Sequence, residues 1–451
     1  MLGSGIVFGG ARTNPVVTSR GVRAAALIAV PLFIASLCAA PAYAVTPPPI
    51  DDTLLPDSAP PSPPQPTRQR EACSSNVAPL LSYPPGTHHS ADLEAIWRLT
   101  RGSGQRIAVI DTGVDPYARL KDVVAGGDYV SDGDGRQDCD GHGTIVASII
   151  AAAPDPTDPT AFTGLAPEAT IISIRQASLK FGPVSDPSSD GFGDVRTLAM
   201  AVRTAADMGA SVINISSVAC SESAPEDGSL GAALAYAVDV KDAVIVTAAG
   251  NVGGAGQCPM QNTSQQPTVV SSPAWYDDYV LAVGSVSPTG TPSSFSLRGP
   301  WVDIAAPGEQ VISVKPAAGS AGTAPISGTS YAGPVVSAAA ALVRSRYPRL
   351  SARQVISRLE QTARKPASRS DSAVGSGVVD VLAAVSDEVA RMTPMRTEQP
   401  KPVVRRSGGD RSNAIAVVGA SVCLTLVGLA TVAMRLRRRR RDATTENVGC
   451  E

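Results

Sequence analysis

The sequence predicts an α/β domain, a parallel sheet flanked by helices, followed by one helix that crosses a membrane near the C-terminus. Two observations carry this reading. Short, nearly continuous apolar strands alternate with Ala-rich helical stretches through the middle of the chain, and an uncharged apolar run near the end abuts a block of arginines. Strands that are apolar throughout are those buried on both faces, as in parallel sheets.

At the N-terminus, Arg12, Arg20 and Arg23 precede an apolar run over 24–40, and Ala42-Tyr43-Ala44 supplies a small-x-small cleavage pattern. Residues 1–44 therefore read as a secretory signal peptide. Residues 45–91 form an extension whose first part is crowded with prolines and lacks apolar periodicity, so it cannot bury a core alone and reads as a strap.

The α/β texture fills 92–390. Strands are expected at 106–111 (RIAVID), 170–175 (TIISIR), 211–215 (SVINI), 243–249 (AVIVTAA) and 279–286. The stretches 195–208 and 230–240 have the apolar spacing of crossover helices. Further helices are expected at 331–347 and at 352–363, the second started by Ser351 in a capping position.

Residues 391–413 mix proline, glycine and charge without periodicity, as a tether does. The run 414–434 has the roughly 20 uncharged residues that a bilayer core requires. A buried core helix would lack the arginine block, Arg435 and 437–441, which marks the 435–451 tail as cytoplasmic. Lys401, Arg405, Arg406 and Arg411 flank the other end, but translocation begun by the signal peptide puts that flank outside. The expected topology is a single-pass protein of the cell membrane with its folded domain extracytoplasmic.

Lys and Arg number 38 against 40 Asp and Glu, a net charge of −2. The basic block belongs to the membrane flank, so nucleic acid is not an expected partner. Of 7 cysteines, Cys38 and Cys423 lie in the hydrophobic segments and Cys450 in the tail. Cys73, Cys139, Cys220 and Cys258 remain for an oxidising compartment, enough for two disulfides.

The chain has 3 histidines, His88, His89 and His142, which makes the search for a general base short. His142 stands in Asp-Gly-His-Gly-Thr at the start of an apolar helical stretch, with glycines on both sides that allow close backbone approach. Asp111 ends an apolar strand, at the edge of a parallel sheet where ligand sites gather. Asp115 competes for the same role but lies past the turn. Ser330, in Gly-Thr-Ser-Tyr-Ala-Gly-Pro, enters an Ala-rich helix with its N–H and hydroxyl facing one space, which suits a nucleophile and a developing oxyanion. Alone, Ser330 or Thr329 reads more readily as a helix cap. Asn251 leaves a strand at the same edge and can donate to an oxyanion; alone, Gly250-Asn251 reads as a turn.

Together the strings VIDTGVD, DGHGT, AAGN and GTSYAGP, in that order, resemble the motif set of the subtilisin-like serine proteases, the subtilases. The resemblance implies a subtilisin-like fold and a serine endopeptidase working through an acyl-enzyme; no cofactor is expected, and the acidic loop at 128–140 leaves no metal expected either. It makes Ser330 the nucleophile, His142 the proton carrier and Asp111 its orienting carboxylate. Asn251 and the Ser330 N–H become the oxyanion hole. A narrower resemblance lies in VTPPPID, the paired cysteines, PAWY at 273–276, PSSFSLRGPWVDIAAPG and the terminal anchor. These are similar to the mycosins, subtilases of actinobacterial type VII secretion systems. That implies exported protein substrates and association with the secretion system's membrane components.

Subtilases usually carry Asn-x-Ser-x-Gly along the substrate cleft. Here Asn214-Ile215 is followed by Ser216, Ser217 and Val218, whose β-branched side chain replaces a bare backbone and implies narrow specificity. Four cysteines permit three pairings. The loops of Cys220 and Cys258 leave strands at one sheet edge, which pairs them and leaves Cys73 to Cys139, tying the extension to the loop before His142. Asp128, Asp132, Asp134, Asp138 and Asp140 lack a complete calcium-ligand pattern and read as a solvated acidic loop. Two functions follow: a selective endopeptidase of exported proteins, or a structural subunit of the secretion complex in which proteolysis is secondary.

Overall fold

The computed structural model describes residues 46–73, 77–78, 90–120, 122–157, 162–254, 257–263, 267–311, 315–316, 326–365, 372–387 and 432–436. The apolar runs build a seven-stranded sheet. Its strands are β1 (Arg106–Asp111), β2 (Val123–Asp128), β3 (Thr170–Arg175), β4 (Val212–Ile215), β5 (Val244–Ala248), β6 (Leu281–Val286) and β7 (Ile304–Pro307). The spatial order is β7-β6-β5-β4-β1-β3-β2. Every pairing is parallel.

Strand alternation divides the core into two layers. Ile107 and Val109 of β1 share a layer with helices α1 (Ser90–Leu99), α2 (His142–Ala151), α5 (Thr329–Arg346) and α6 (Ala352–Thr362). Ala108 and Ile110 face α3 (Val195–Asp207) and α4 (Gly228–Ala235), with Trp275 and Tyr276 beside them. Each layer is sealed by small residues: α5 buries Ala332 and Ala338 to Ala341, which lets its backbone lie close on the sheet.

The strands at 106–111 and 170–175 stand where the sequence puts them, and α3, α5 and α6 begin and end within two residues of expectation. Ser351 caps α6 in a reciprocal box with Gln354. The stretch 230–240 is α4 running into a π-helical turn, Tyr236–Val240. β2 and β7 were not expected. β2 is an edge strand whose register shifts between Ala125 and Gly127, and β7 is four residues long and ends on a proline.

The extension lies along the domain. Thr67–Gln69 pairs antiparallel with Phe181–Pro183, and Arg70 donates to the carbonyls of Pro183, Asp186 and Ser189. Cys73 is bonded to Cys139, and Cys220 to Cys258.

The acidic loop is not simply solvated, which corrects the expectation. Asp132 and Asp134 are exposed, but Asp128 and Asp138 are buried. Asp128 faces Arg175 at 3.3 Å and accepts from the N–H groups of Val130 and Ser131. Among the described residues no group of three or more acidic, histidine or cysteine side chains could hold a metal ion.

The chain divides into two units, Met1–Arg391 and Met392–Glu451. Of the second, a short exposed helix at 432–436 is described. The expected signal at 1–44, the tether, most of the expected span at 414–434, and His88 and His89 lie outside the described residues. No helix among the described residues is long and apolar enough to cross a membrane.

Candidate active site

Three neighbouring strands, β1, β4 and β5, deliver Asp111, Ser216 and Asn251 to one carboxyl edge of the sheet. β1 lies where the chain order reverses, which is where open α/β sheets leave a crevice. Two helix starts, those of α2 and α5, close over the same edge.

His142 opens α2. Gly141 before it is left-handed, at φ 83°, and a Cβ on Gly143 would stand 2.1 Å from the Gly113 carbonyl oxygen, so both flanking positions require glycine. No side chain caps α2 locally. Instead Thr112 accepts from the Gly143 N–H at 3.0 Å, and Asp138 accepts from the Thr144 N–H and hydroxyl at 2.8 and 2.7 Å. Asp138 also takes the Thr112 hydroxyl and the Gly141 N–H. The acidic loop thus supplies the first-turn hydrogen bonds of the helix that carries the imidazole.

His142 Nδ1 lies 2.7 Å from Asp111 Oδ1, which also accepts from the Thr112 N–H at 2.8 Å. Asp111 is buried and its second oxygen has no hydrogen-bond partner among the described residues. Asp115, the competing carboxylate, is turned away and accepts from the Asp138 N–H. Burial disfavours the imidazolium, but the charge and hydrogen bond of Asp111, backed by Asp138 and Asp140, outweigh it and raise the His142 pKa. With Nδ1 engaged by a carboxylate, Nε2 is the nitrogen left to take a proton.

Ser330 is the second residue of α5, and its follower Tyr331 packs its ring 5.3 Å from that of His142. Neither Ser330 nor Thr329 caps the helix: the cap is Gly328, with no side-chain hydrogen bond. The Thr329 hydroxyl instead donates to Asn251 Oδ1 at 3.0 Å, and the Thr329 N–H donates to the same oxygen at 2.9 Å. Two donors on Oδ1 fix the amide's orientation and turn Nδ2 outward as a donor. The hydroxyl also accepts from the Gly250 N–H at 3.3 Å. In the sequence Thr329 reads only as a possible cap, because its hold on Asn251 needs a partner 78 residues away.

Ser216 is buried, while Ser217 and Val218 are half-buried. Among the described residues, 216–218 make no backbone hydrogen bonds, so this stretch is an open edge. It continues as Ala219–Ser221, paired antiparallel with Val270–Ser272. The Cys220–Cys258 bridge ties that ribbon to the loop after Asn251, where the Cys258 N–H donates to the Asn251 carbonyl at 2.8 Å. The other bridge ends at Cys139, three residues before His142. Ser330 stands in the first turn of α5 between Thr329, which holds the Asn251 amide, and Tyr331, whose ring packs on the carboxylate-held imidazole; a hydroxyl, an imidazole and an amide donor are together groups that can attack a carbonyl and stabilise the resulting oxyanion.

Comparison with known proteins shows the family to which this fold belongs. The subtilase family model, peptidase S8, matches residues 102–377. Mycosin-4 of Mycobacterium tuberculosis is 56% identical over 422 residues, covering 88% of this chain and 92% of that protein. The structure of the MycP3 protease from the type VII (ESX-3) secretion system aligns with a TM-score of 0.68 at 45% identity, over 76% of this chain and all of that one. A chain of the intact ESX-5 inner membrane complex aligns with a TM-score of 0.69 at 37% identity, over 87% of this chain and 100% of its own.

Proposed function

The chain belongs to the subtilase family of serine proteases, in its mycosin branch, and on that premise we propose a membrane-anchored endopeptidase of narrow specificity that processes exported proteins. Ser330 attacks the scissile carbonyl while its proton passes to His142 Nε2. Asp111 holds the imidazolium in place through Nδ1. The tetrahedral oxygen takes hydrogen bonds from Asn251 Nδ2 and the Ser330 N–H. Collapse returns the proton to the leaving amine and leaves Ser330 acylated, and water repeats the sequence.

The observation that carries this reading is the double hold of Thr329 on Asn251, which aims an amide donor beside Ser330 at the edge where His142 meets Asp111. The open edge 216–218 is suited to an extended peptide, and Val218 supports a restricted choice of residue there. The likeness to a chain of the ESX-5 inner membrane complex supports association with a type VII secretion apparatus. A signal at 1–44, an anchor at 414–434 and a cytoplasmic 435–451 complete the proposal, with the extension a permanent strap held by Cys73.

A Ser330→Ala variant tests it in the producing cell. Loss of substrate processing with export intact assigns the chemistry to Ser330, and processing that continues unchanged would remove the assignment.

A further inference from the structure

Pro334 lies within the first turns of α5. It has no N–H, so the carbonyl of Ser330, four residues earlier, lacks the donor that a helix would give it. The Ser216 hydroxyl stands 3.5 Å from that carbonyl. Ser216 is itself directed from behind. Asn214 Nδ2 donates to Ser216 Oγ at 2.9 Å, and Asn214 Oδ1 accepts from the Ser337 hydroxyl at 2.8 Å.

These bonds have one sense. Ser337 fixes the Asn214 amide, the amide's N–H occupies a lone pair of Ser216 Oγ, and the Ser216 proton is left for the Ser330 carbonyl. Asn214, Ser216 and Ser337 are all buried, where an unmade hydrogen bond is costly and a made one specifies a single arrangement. At 3.5 Å the last link is long for an O–H···O bond, and such contacts tighten in substrate complexes.

We propose that Ser216 is a positioning residue that couples occupancy of the substrate edge to the placement of Ser330. An extended peptide pairing with 216–218 draws the Ser216 hydroxyl onto the Ser330 carbonyl. That fixes the first turn of α5 and with it the Ser330 hydroxyl and N–H. The inference rests on reading 216–218 as the edge that binds substrate.

The test uses two irreversible probes on the full-length protein, a single-residue alanyl diphenyl phosphonate and a four-residue peptidyl one, with kinact and KI measured separately. In the wild type the longer probe has the larger kinact. In Ser216→Ala the ratio of kinact values, long over short, falls roughly three- to tenfold, about what loss of one hydrogen bond gives. KI for the long probe changes less, and Ser216→Thr restores the ratio. An unchanged ratio in Ser216→Ala, with or without an equal slowing of both probes, overturns the coupling while leaving the edge reading intact. A wild type that gains nothing from the longer probe would remove the edge reading and the coupling with it.

Discussion

Thr329 holds the side-chain oxygen of Asn251 twice, at 2.9 Å through its N–H and at 3.0 Å through its hydroxyl. In the proposed mechanism the residue next to the nucleophile therefore sets which way the oxyanion donor points. Asn251→Ala removes that donor and is expected to lower kcat by about 10² to 10³, the range found for a subtilisin. Thr329→Val keeps the N–H contact and removes the hydroxyl, so kcat should fall by a smaller factor, about tenfold, the effect of one buried hydrogen bond. Steady-state kinetics on both variants check the order.

Asp111→Asn keeps the size of the side chain but changes what it offers Nδ1. The amide can donate to Nδ1 and stabilise the wrong tautomer, leaving no acceptor at Nε2. The expected loss in kcat is about 10⁴ at neutral pH, with the melting temperature changed far less than the rate.

The raised His142 pKa gives the pH profile a direction. In the proposed mechanism the working base is the neutral imidazole, so kcat/KM should rise with pH through a midpoint above the ordinary 6.5. The carboxylate of Asp140 adds to the field that favours the cation, so Asp140→Asn should move the midpoint down. The stability that this raised pKa contributes is full below the unfolded value and disappears as pH rises through the folded one. A profile with its midpoint below 6.5 would contradict the geometry.

The Cys73–Cys139 bridge spans 66 residues of chain. Closing a loop of that size restricts the unfolded chain by about 4 kcal/mol in the entropy model, and native bridges typically contribute about 2–4 kcal/mol. The double variant Cys73→Ser, Cys139→Ser should therefore unfold at a clearly lower urea concentration. Non-reducing peptide mapping of the wild type should recover the two sequences as one linked peptide. A free Cys73 thiol would contradict the strap.

Much of the fold was legible because β1 and β3 are apolar, β-branched and buried on both faces, a pattern with one structural solution. β2 was not, because Gly126 and Gly127 dilute the pattern at an edge where only part of the strand is buried. The π turn after α4 was not either, since one extra residue per turn leaves no mark in hydropathy. At the site, Asp111, His142, Asn251 and Ser330 sit in Gly-bearing strings whose local geometry is readable. Thr329, Asn214 and Ser337 act through partners far away in sequence, and so does Asp138, which looked like one acid among several in a loop. Their meaning exists only once β1, β4 and β5 lie side by side.

The most direct test of the central claim is intact-mass and peptide-level mass spectrometry after reaction with a fluorophosphonate. The proposed mechanism predicts one adduct per chain, on Ser330, absent in Ser330→Ala and formed far more slowly in His142→Ala. An unlabelled wild type, or an adduct on another serine, would contradict it.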